Sequence, residues 1–293
     1  MKEDIICIGH ITHDHIVTPA TDVHMPGGTS FYFSYGLRHL LGDRTDVRYR
    51  LVTSLAEKDM NAVEDMRREG IRVEVIPSRE TVYFENIYGA DTNNRKQRVR
   101  AKADPFTLEK LGDLEADYIV LGTLLADDFD LEAIRNLSER GTLVVDAQGY
   151  LREVRDEKVY ACDWEDKLEA LRYIDILKVN ELEIEALTGE PDQHRGCEML
   201  ASWGVREVLL TLGSFGSVVY VDGQFYDIPA YEPERTIDAT GCGDTYVMAY
   251  VLRRRLGDAP ESAARFASAV ASIKLEASGP FSGTMDDVLQ RMK

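Results

Sequence analysis

Along most of the chain, short runs of β-branched and aliphatic residues alternate with stretches whose apolar residues recur at helical spacing. No other feature restricts the fold as much. Residues 5–9, 47–53, 118–122, 143–146, 176–180 and 208–212 read as buried strands. Between them, 30–41, 58–69, 131–140, 181–188 and 193–203 read as helices, with Gly42, Gly70, Gly141, Gly189 and Gly204 standing where C-terminal caps belong. A parallel connection must cross back over a sheet face, so this alternation predicts a three-layer α/β/α fold around a mostly parallel sheet. With 293 residues, no fixed-period repeat and no Pro/Ser-rich linker, one domain spanning 1–293 is expected.

One segment breaks the rhythm. Residues 81–89 and 97–103 alternate polar and apolar side chains around a turn-prone Asp-Thr-Asn-Asn at 91–94, the pattern of an exposed hairpin, and a small β lid around 81–103 is expected. From Gly243 onward the pattern is almost wholly helical, over 245–256, 261–276 and 285–292. The 52 acidic residues outnumber 34 basic ones, a charge of −18 that repels a phosphodiester backbone and argues against nucleic-acid binding. No apolar run approaches the ~20 residues of a membrane span. The acidic N-terminus does not resemble a signal peptide, and Cys7, Cys162, Cys197 and Cys242 show no framework spacing, which together predict a cytoplasmic protein with reduced thiols.

Several common chemistries are excluded by missing motifs. There is no Gly-Lys dipeptide and hence no Walker A loop, no H-E-x-x-H and no G-x-S-x-G. Gly241-Cys242-Gly243 is a G-x-G, but Tyr246 stands where a dinucleotide fingerprint needs glycine or alanine. Four of the six histidines fall between His10 and His24, and His13-Asp14-His15 follows the first strand as it does in metal-dependent hydrolases. A hydrolase centre on the His13/His15 pair is thus one alternative, although His39 and His194 fall in helical stretches.

The strongest chemical signal is Thr-Ile-Asp-Ala-Thr-Gly-Cys-Gly-Asp-Thr at 236–245, running into a helix. A helix start rich in glycine leaves backbone N–H groups open, and the helix dipole adds positive potential, so an anion binds there. Asp244 in the first turn could take a proton from a hydroxyl beside that anion. Phosphoryl transfer to an alcohol needs that pairing of cradle and base. The competing reading makes Asp244 only a capping carboxylate.

At these residues the chain resembles the ribokinase-like carbohydrate kinases, the phosphofructokinase B (PfkB) family. Their Asp-Thr-x-Gly-Ala-Gly-Asp signature stands here as Asp-Ala-Thr-Gly-Cys-Gly-Asp at 238–244. Gly27-Gly28 ahead of a helix is similar to the family's di-glycine, Asn180-Glu-Leu-Glu183 to its N-x-x-E, and Thr211-Leu-Gly213-Ser-Phe-Gly216 to its nucleotide-binding T-x-G-x-x-G. The four motifs follow the family's order over essentially the whole chain.

The resemblance implies an ATP-dependent kinase acting on a small sugar, polyol or nucleoside. Gly241, Cys242 and Gly243 would cradle phosphate and Asp244 would act as base. Thr211, Gly213 and Gly216 would approach the nucleotide, and Asn180 and Glu183 would hold Mg²⁺ through water. Asp238 and Thr240 would form a monovalent-cation site for an ion such as K⁺. Asp14, Gly27, Gly28, Tyr32, Asp146 and Arg152 would bind the acceptor. Local readings compete: a capping box at Asn180 and Glu183, a tight hairpin at 211–216, and a surface ion pair at Asp146 and Arg152.

The chain departs from the family at Tyr32, where asparagine is usual, at Ala239 for threonine, and at Cys242 for alanine. The short spacing between Asp14 and Gly27 leaves room for little more than one lid strand. An apolar lid face including Val82, Phe84 and Ile87 predicts a homodimer through the lid. Cys242 at a helix start is expected either to have a lowered thiol pKa or to pack inward as a small apolar residue. A sugar-binding relative without turnover is a further alternative, and retention of Asp244 and both cradle glycines argues against it.

Overall fold

The first strand, β1 (Glu3–Gly9), is buried along its whole length, and its side chains alternate between two separate cores. Ile5 and Cys7 join one cluster, Ile6 and Ile8 the other, so both faces of the sheet are covered. A computed structural model describes residues 2–18, 22–88 and 95–293 of the chain. The remaining strands are β2 (Thr12–Val17), β3 (Asp22–Gly27), β4 (Tyr49–Leu55), β5 (Val73–Pro77), β6 (Tyr83–Tyr88), β7 (Arg95–Ala101), β8 (Ala116–Gly122), β9 (Thr142–Asp146), β10 (Arg152–Arg155), β11 (Lys158–Ala161), β12 (Ile176–Asn180), β13 (Glu207–Thr211), β14 (Ser217–Val221) and β15 (Gln224–Ile228). The helices are α1 (Thr29–Leu41), α2 (Met60–Arg68), α3 (Leu108–Leu111), α4 (Leu131–Ser138), α5 (Lys167–Ala170), α6 (Glu181–Thr188), α7 (Gln193–Ser202), α8 (Cys242–Arg255), α9 (Pro260–Lys274) and α10 (Met285–Arg291).

The central sheet runs β15-β14-β13-β12-β9-β8-β1-β4-β5, parallel from β13 to β5 and antiparallel at β14 and β15. Helices α1, α2, α8, α9 and α10 cover one face, and α3 to α7 the other, giving the expected three layers. Four of the five glycine stops, at 42, 70, 189 and 204, have positive φ. Gly141 is different: its φ is ordinary, and a Cβ there would lie 2.3 Å from the Ala116 carbonyl oxygen. Glycine is required at 141 by the close approach of β8, not by a left-handed cap.

The lid is larger than the sequence suggests. It is a six-stranded sheet, β10-β11-β7-β6-β2-β3, in which the segment from Asp14 to Gly27 supplies two strands and 152–161 a further hairpin. The turn expected at 91–94 lies outside the described residues. Register puts Asp14, Phe84, Asn86, Gln97, Val99 and Arg152 on one lid face, while His13, His15, His24 and Tyr83 share the other.

Val82 and Phe84 are not exposed, contrary to expectation. They pack with Val99, Leu124 and Leu125, so the loop after β8 covers the lid's apolar face and no second copy is needed for that. Ile87 is half-buried. Phe84→Ala therefore loosens the lid. Truncation of a buried phenylalanine costs about 3–5 kcal/mol, and here the loss falls on a small satellite cluster rather than on either main core. Hydrogen exchange should accelerate in β2, β6 and β7 while the central sheet stays protected; uniform acceleration throughout the chain would contradict a separate lid unit.

Candidate active site

The site gathers at the C-terminal ends of the parallel strands, where helix starts and strand ends converge. Asp14, on β2, accepts a hydrogen bond from the Thr12 hydroxyl at 2.6 Å, and a Cβ on Gly27 would lie 2.4 Å from Asp14 Oδ2. The first glycine of the pair thus makes room for this buried carboxylate. Gly28 has φ +86° and caps α1, whose first residue, Thr29, hydrogen-bonds the Asp244 carboxyl.

Gly241, at φ +76°, is the N-cap of α8, and that helix begins at Cys242 rather than at Thr245. The Cys242 N–H turns back to the Ala239 carbonyl at 3.2 Å. The open donors at this helix end are accordingly those of Gly243 and Asp244. A Cβ on Gly243 would lie 3.3 Å from Lys178 Nζ, a buried lysine at the centre of β12. Lys178 is 3.0 Å from Asp146 Oδ2 and 3.7 Å from Glu183 Oε2. Burial pulls its pKa down, but the carboxylates of Asp146 and Glu183 outweigh burial and hold the lysine charged.

Burial pushes the Asp244 carboxyl up to about 6; Asp146 adds to this, while Thr29, Lys178 and Arg152 oppose it. A carboxyl near 6 is a serviceable base at neutral pH, which the competing capping role does not require. Burial also raises Glu183, against Lys178. Asp146 and Arg152 thus do not form a surface ion pair. Asp146 is buried on Lys178, and Arg152, on the lid face that carries Asp14, stands close enough to lower Asp244 and Glu183.

Asn180 and Glu183 form the capping box that competed with their metal role. Asn180 Oδ1 accepts the N–H groups of Leu182 and Glu183, each at 2.9 Å, and Glu183 Oε2 accepts the Asn180 N–H at 2.8 Å. The Asn180 oxygen is therefore spent on backbone, whereas Glu183 and Asp146 keep carboxylate lone pairs for the oxygen coordination Mg²⁺ prefers. Those two residues would hold a divalent ion.

In the 211–216 segment a 3₁₀ turn at Gly213–Phe215 joins β13 to β14. Gly216, at φ +95°, is forced by packing, since a Cβ would lie 2.1 Å from the Ile228 carbonyl. The space around Gly213 is open.

One alternative is decided and two expectations are corrected. Burial pushes the Cys242 thiol up to about 11, although Lys274 opposes it, so this thiol is not activated by the helix end. The histidines do not build a hydrolase centre at the strand ends. On the lid face opposite Asp14, His13 Nε2 lies 2.9 Å from His24 Nδ1, and His15 Nε2 lies 2.7 Å from Asp22. Among the described residues His15, Asp22 and His24 could share an ion, but His39 and His194 sit on α1 and α7. Finally, Asp238 and Thr240 do not present an open cation site. The Thr240 N–H donates to Asp238 Oδ1 at 2.9 Å, and the Lys274 ammonium donates to the Asp238 carbonyl at 2.9 Å.

The sequence pattern of the pfkB family carbohydrate kinase matches residues 66–286. The chain belongs to that family. It is a phosphotransferase, a carbohydrate kinase with a ribokinase-like fold. A pyrophosphate-dependent kinase of the ribokinase family, solved with sulfate, is 30% identical at a TM-score of 0.86, over 97% of this chain and 99% of that one. A second structure, of such a kinase with a pyrophosphate analogue and myo-inositol, is 29% identical at a TM-score of 0.85, over 98% and 99%. Cytidine kinase of Thermococcus kodakarensis is 26% identical over 250 residues, 83% of this chain and 85% of that protein.

Sequence reasoning missed Lys178, Thr29 and Lys274. A lysine inside an apolar strand, two residues before Asn180, was the available signal for the first; Lys274, in the apolar stretch of α9, was the signal for the last.

Asp244→Asn should lower kcat by about 10²–10⁴. In the wild-type kinase kcat/KM should rise with pH through an acid limb near 6, and Thr29→Val, which removes the bond that lowers Asp244, should move that limb upward. Folded Asp244 holds its proton more tightly than the ordinary 3.8, so its contribution to stability is present in acid and is lost as pH rises from about 4 to about 6. Above pH 6 Asp244→Asn should melt higher than the wild type. Thermal scans at pH 4 and 7.5 check the sign.

Proposed function

We propose that this kinase phosphorylates a hydroxyl of a cyclic polyol of the inositol class, with pyrophosphate as donor and Asp244 as base. The observation that carries the reading is the position of Asp244. Its carboxyl, raised to about 6, stands at the mouth of α8 with Thr29 bonded to it and with Lys178 and Arg152 as the nearby cations. In that arrangement Asp244 takes the proton of the acceptor hydroxyl as its oxygen attacks the terminal phosphorus. The N–H groups of Gly243 and Asp244, with Lys178 and Arg152, stabilise the charge that spreads over the transferred group and the leaving phosphate. A divalent ion on Glu183 and Asp146 would neutralise further donor charge when bound.

The acceptor reading rests on the lid. Asp14, Asn86 and Gln97 lie on one lid face, and the Gln97 amide donates to Asn86 Oδ1 at 2.9 Å. A carboxylate and two carboxamides offer hydrogen bonds to a ring of hydroxyls. Among the described side chains of that face the aromatic one, Phe84, is turned into the cluster of Val99, Leu124 and Leu125, which leaves it unavailable to stack on a nucleobase. The donor reading follows the whole-length similarity to pyrophosphate-dependent kinases.

ATP is the second reading, favoured by the turn after Thr211, where Phe215 is 85% exposed and presents a ring on which a base could stack.

A matrix of donors (pyrophosphate, ATP) against acceptors (myo-inositol, ribose, cytidine) decides among these. Pyrophosphate with myo-inositol should show the highest kcat/KM, and Asn86→Leu should raise the acceptor KM by about 10-fold or redirect the phosphorylated hydroxyl. A higher kcat/KM for cytidine with ATP would overturn both assignments.

A further inference from the structure

Lysine is seldom buried, because an ammonium taken from water costs several kcal/mol unless oxygen ligands replace its hydration. Lys274, the last residue of α9, is fully buried. Three oxygens converge on its Nζ: the Asp238 carbonyl at 2.9 Å, the Ala277 carbonyl at 3.4 Å and Asp238 Oδ2 at 3.6 Å. The C-terminal end of α9 adds favourable negative potential. Carbonyl and carboxylate oxygens converging on one positive charge form the environment that a potassium or ammonium ion takes in place of water.

The loop that this ammonium grips leads directly to the cradle. Ile237 and Asp238 donate their N–H groups to the Leu275 carbonyl, at 2.7 and 3.3 Å, and the Thr240 N–H closes on Asp238 Oδ1. Gly241 follows, packed so tightly on the Tyr32 ring that a Cβ would lie 2.3 Å from Tyr32 Cδ1. The Lys274 ammonium lies 5.9 Å from the centroid of that same ring. Residues Tyr32 and Cys242, at which this chain departs from the family signature, both border the lysine; Lys274 is among the charges acting on the Cys242 thiol.

We propose that Lys274 is a built-in monovalent cation: its ammonium occupies the place of a bound ion beneath the 238–241 loop and holds the phosphate cradle in shape, so this kinase needs no potassium. Lys274 touches neither donor nor acceptor and acts as a positioning residue. The inference rests on the reading of the α8 start as the cradle, but the lysine's occupancy of the cation position is tested without it.

Melting and turnover are measured at fixed ionic strength in potassium, ammonium or sodium chloride and in tetramethylammonium chloride, whose cation is too large for such a site. For the wild type, the melting temperature should be the same in all four within about 1 °C and the rate within about twofold. Lys274→Ala opens the position. It should melt lower in tetramethylammonium chloride and lose rate by about 10-fold or more, and potassium or ammonium should restore both selectively. A bound thallium(I) resonance in Lys274→Ala, absent from the wild type, gives a readout independent of turnover.

Potassium-dependent melting or severalfold potassium activation of the wild type would overturn the proposal. So would a folded Lys274→Ala chain that no small cation restores, which would reduce Lys274 to a structural tether. Should Lys274→Ala not fold, the wild-type comparison still decides. Melting is read on the protein without substrates, so failure of the Asp244 mechanism would leave this result unchanged.

Discussion

Asp146, Lys178 and Glu183 lie buried together with the half-buried Asp244 near them, and the site's chemistry depends on how their charges are balanced. Three carboxylates there would repel one another strongly enough to protonate or to open the fold, because charges attract and repel far more strongly out of water. The ammonium of Lys178, 3.0 Å from Asp146 and 3.7 Å from Glu183, offsets part of that repulsion. Asp244 is left as the group with the least compensation, held at about 6 by burial and by Asp146. The Asp244 carboxyl is thus tuned by its neighbours, at a cost in stability that the rest of the fold offsets.

The parallel sheet makes this crowding attainable. β9 and β12 are adjacent, so the end of one delivers Asp146 beside Lys178 on the other, in direct register. The chain then turns into α6, whose capping box fixes Glu183, and α8 brings Asp244 from a distant part of the sequence. The lid closes the opposite side with Asp14 and Arg152 on one face. Its own small apolar cluster holds it to the loop after β8 and is separate from both main cores.

The start of α8 shows the same economy. A glycine with positive φ starts α8, a tyrosine ring fills the space that any Cβ at that glycine would need, and a buried lysine ties the preceding loop to the end of α9. The contacts are mutually dependent, so Tyr32, Gly241 and Lys274 form one packed unit rather than three separate positions.

The strands β1, β4, β8, β9, β12 and β13, the helices between them and the glycine-rich start of α8 were legible in the sequence, because buried parallel strands are apolar throughout and glycine is demanded where backbone must turn or leave room; the order of the strands in the sheet and the edge strand β5 were not. Asn180, Glu183 and Asp244 were legible for the same local reason: caps and helix starts depend on residues only a few positions apart. The size of the lid was not, since β2, β3, β10 and β11 are short, polar and distant in sequence, and only pairing with β6 and β7 turns them into one sheet. Lys178 and Lys274 could be seen as lysines in apolar stretches, but not their charge partners. Whether a buried charge is compensated depends on residues brought together across the sheet, and only the tertiary structure decides which side chains those are.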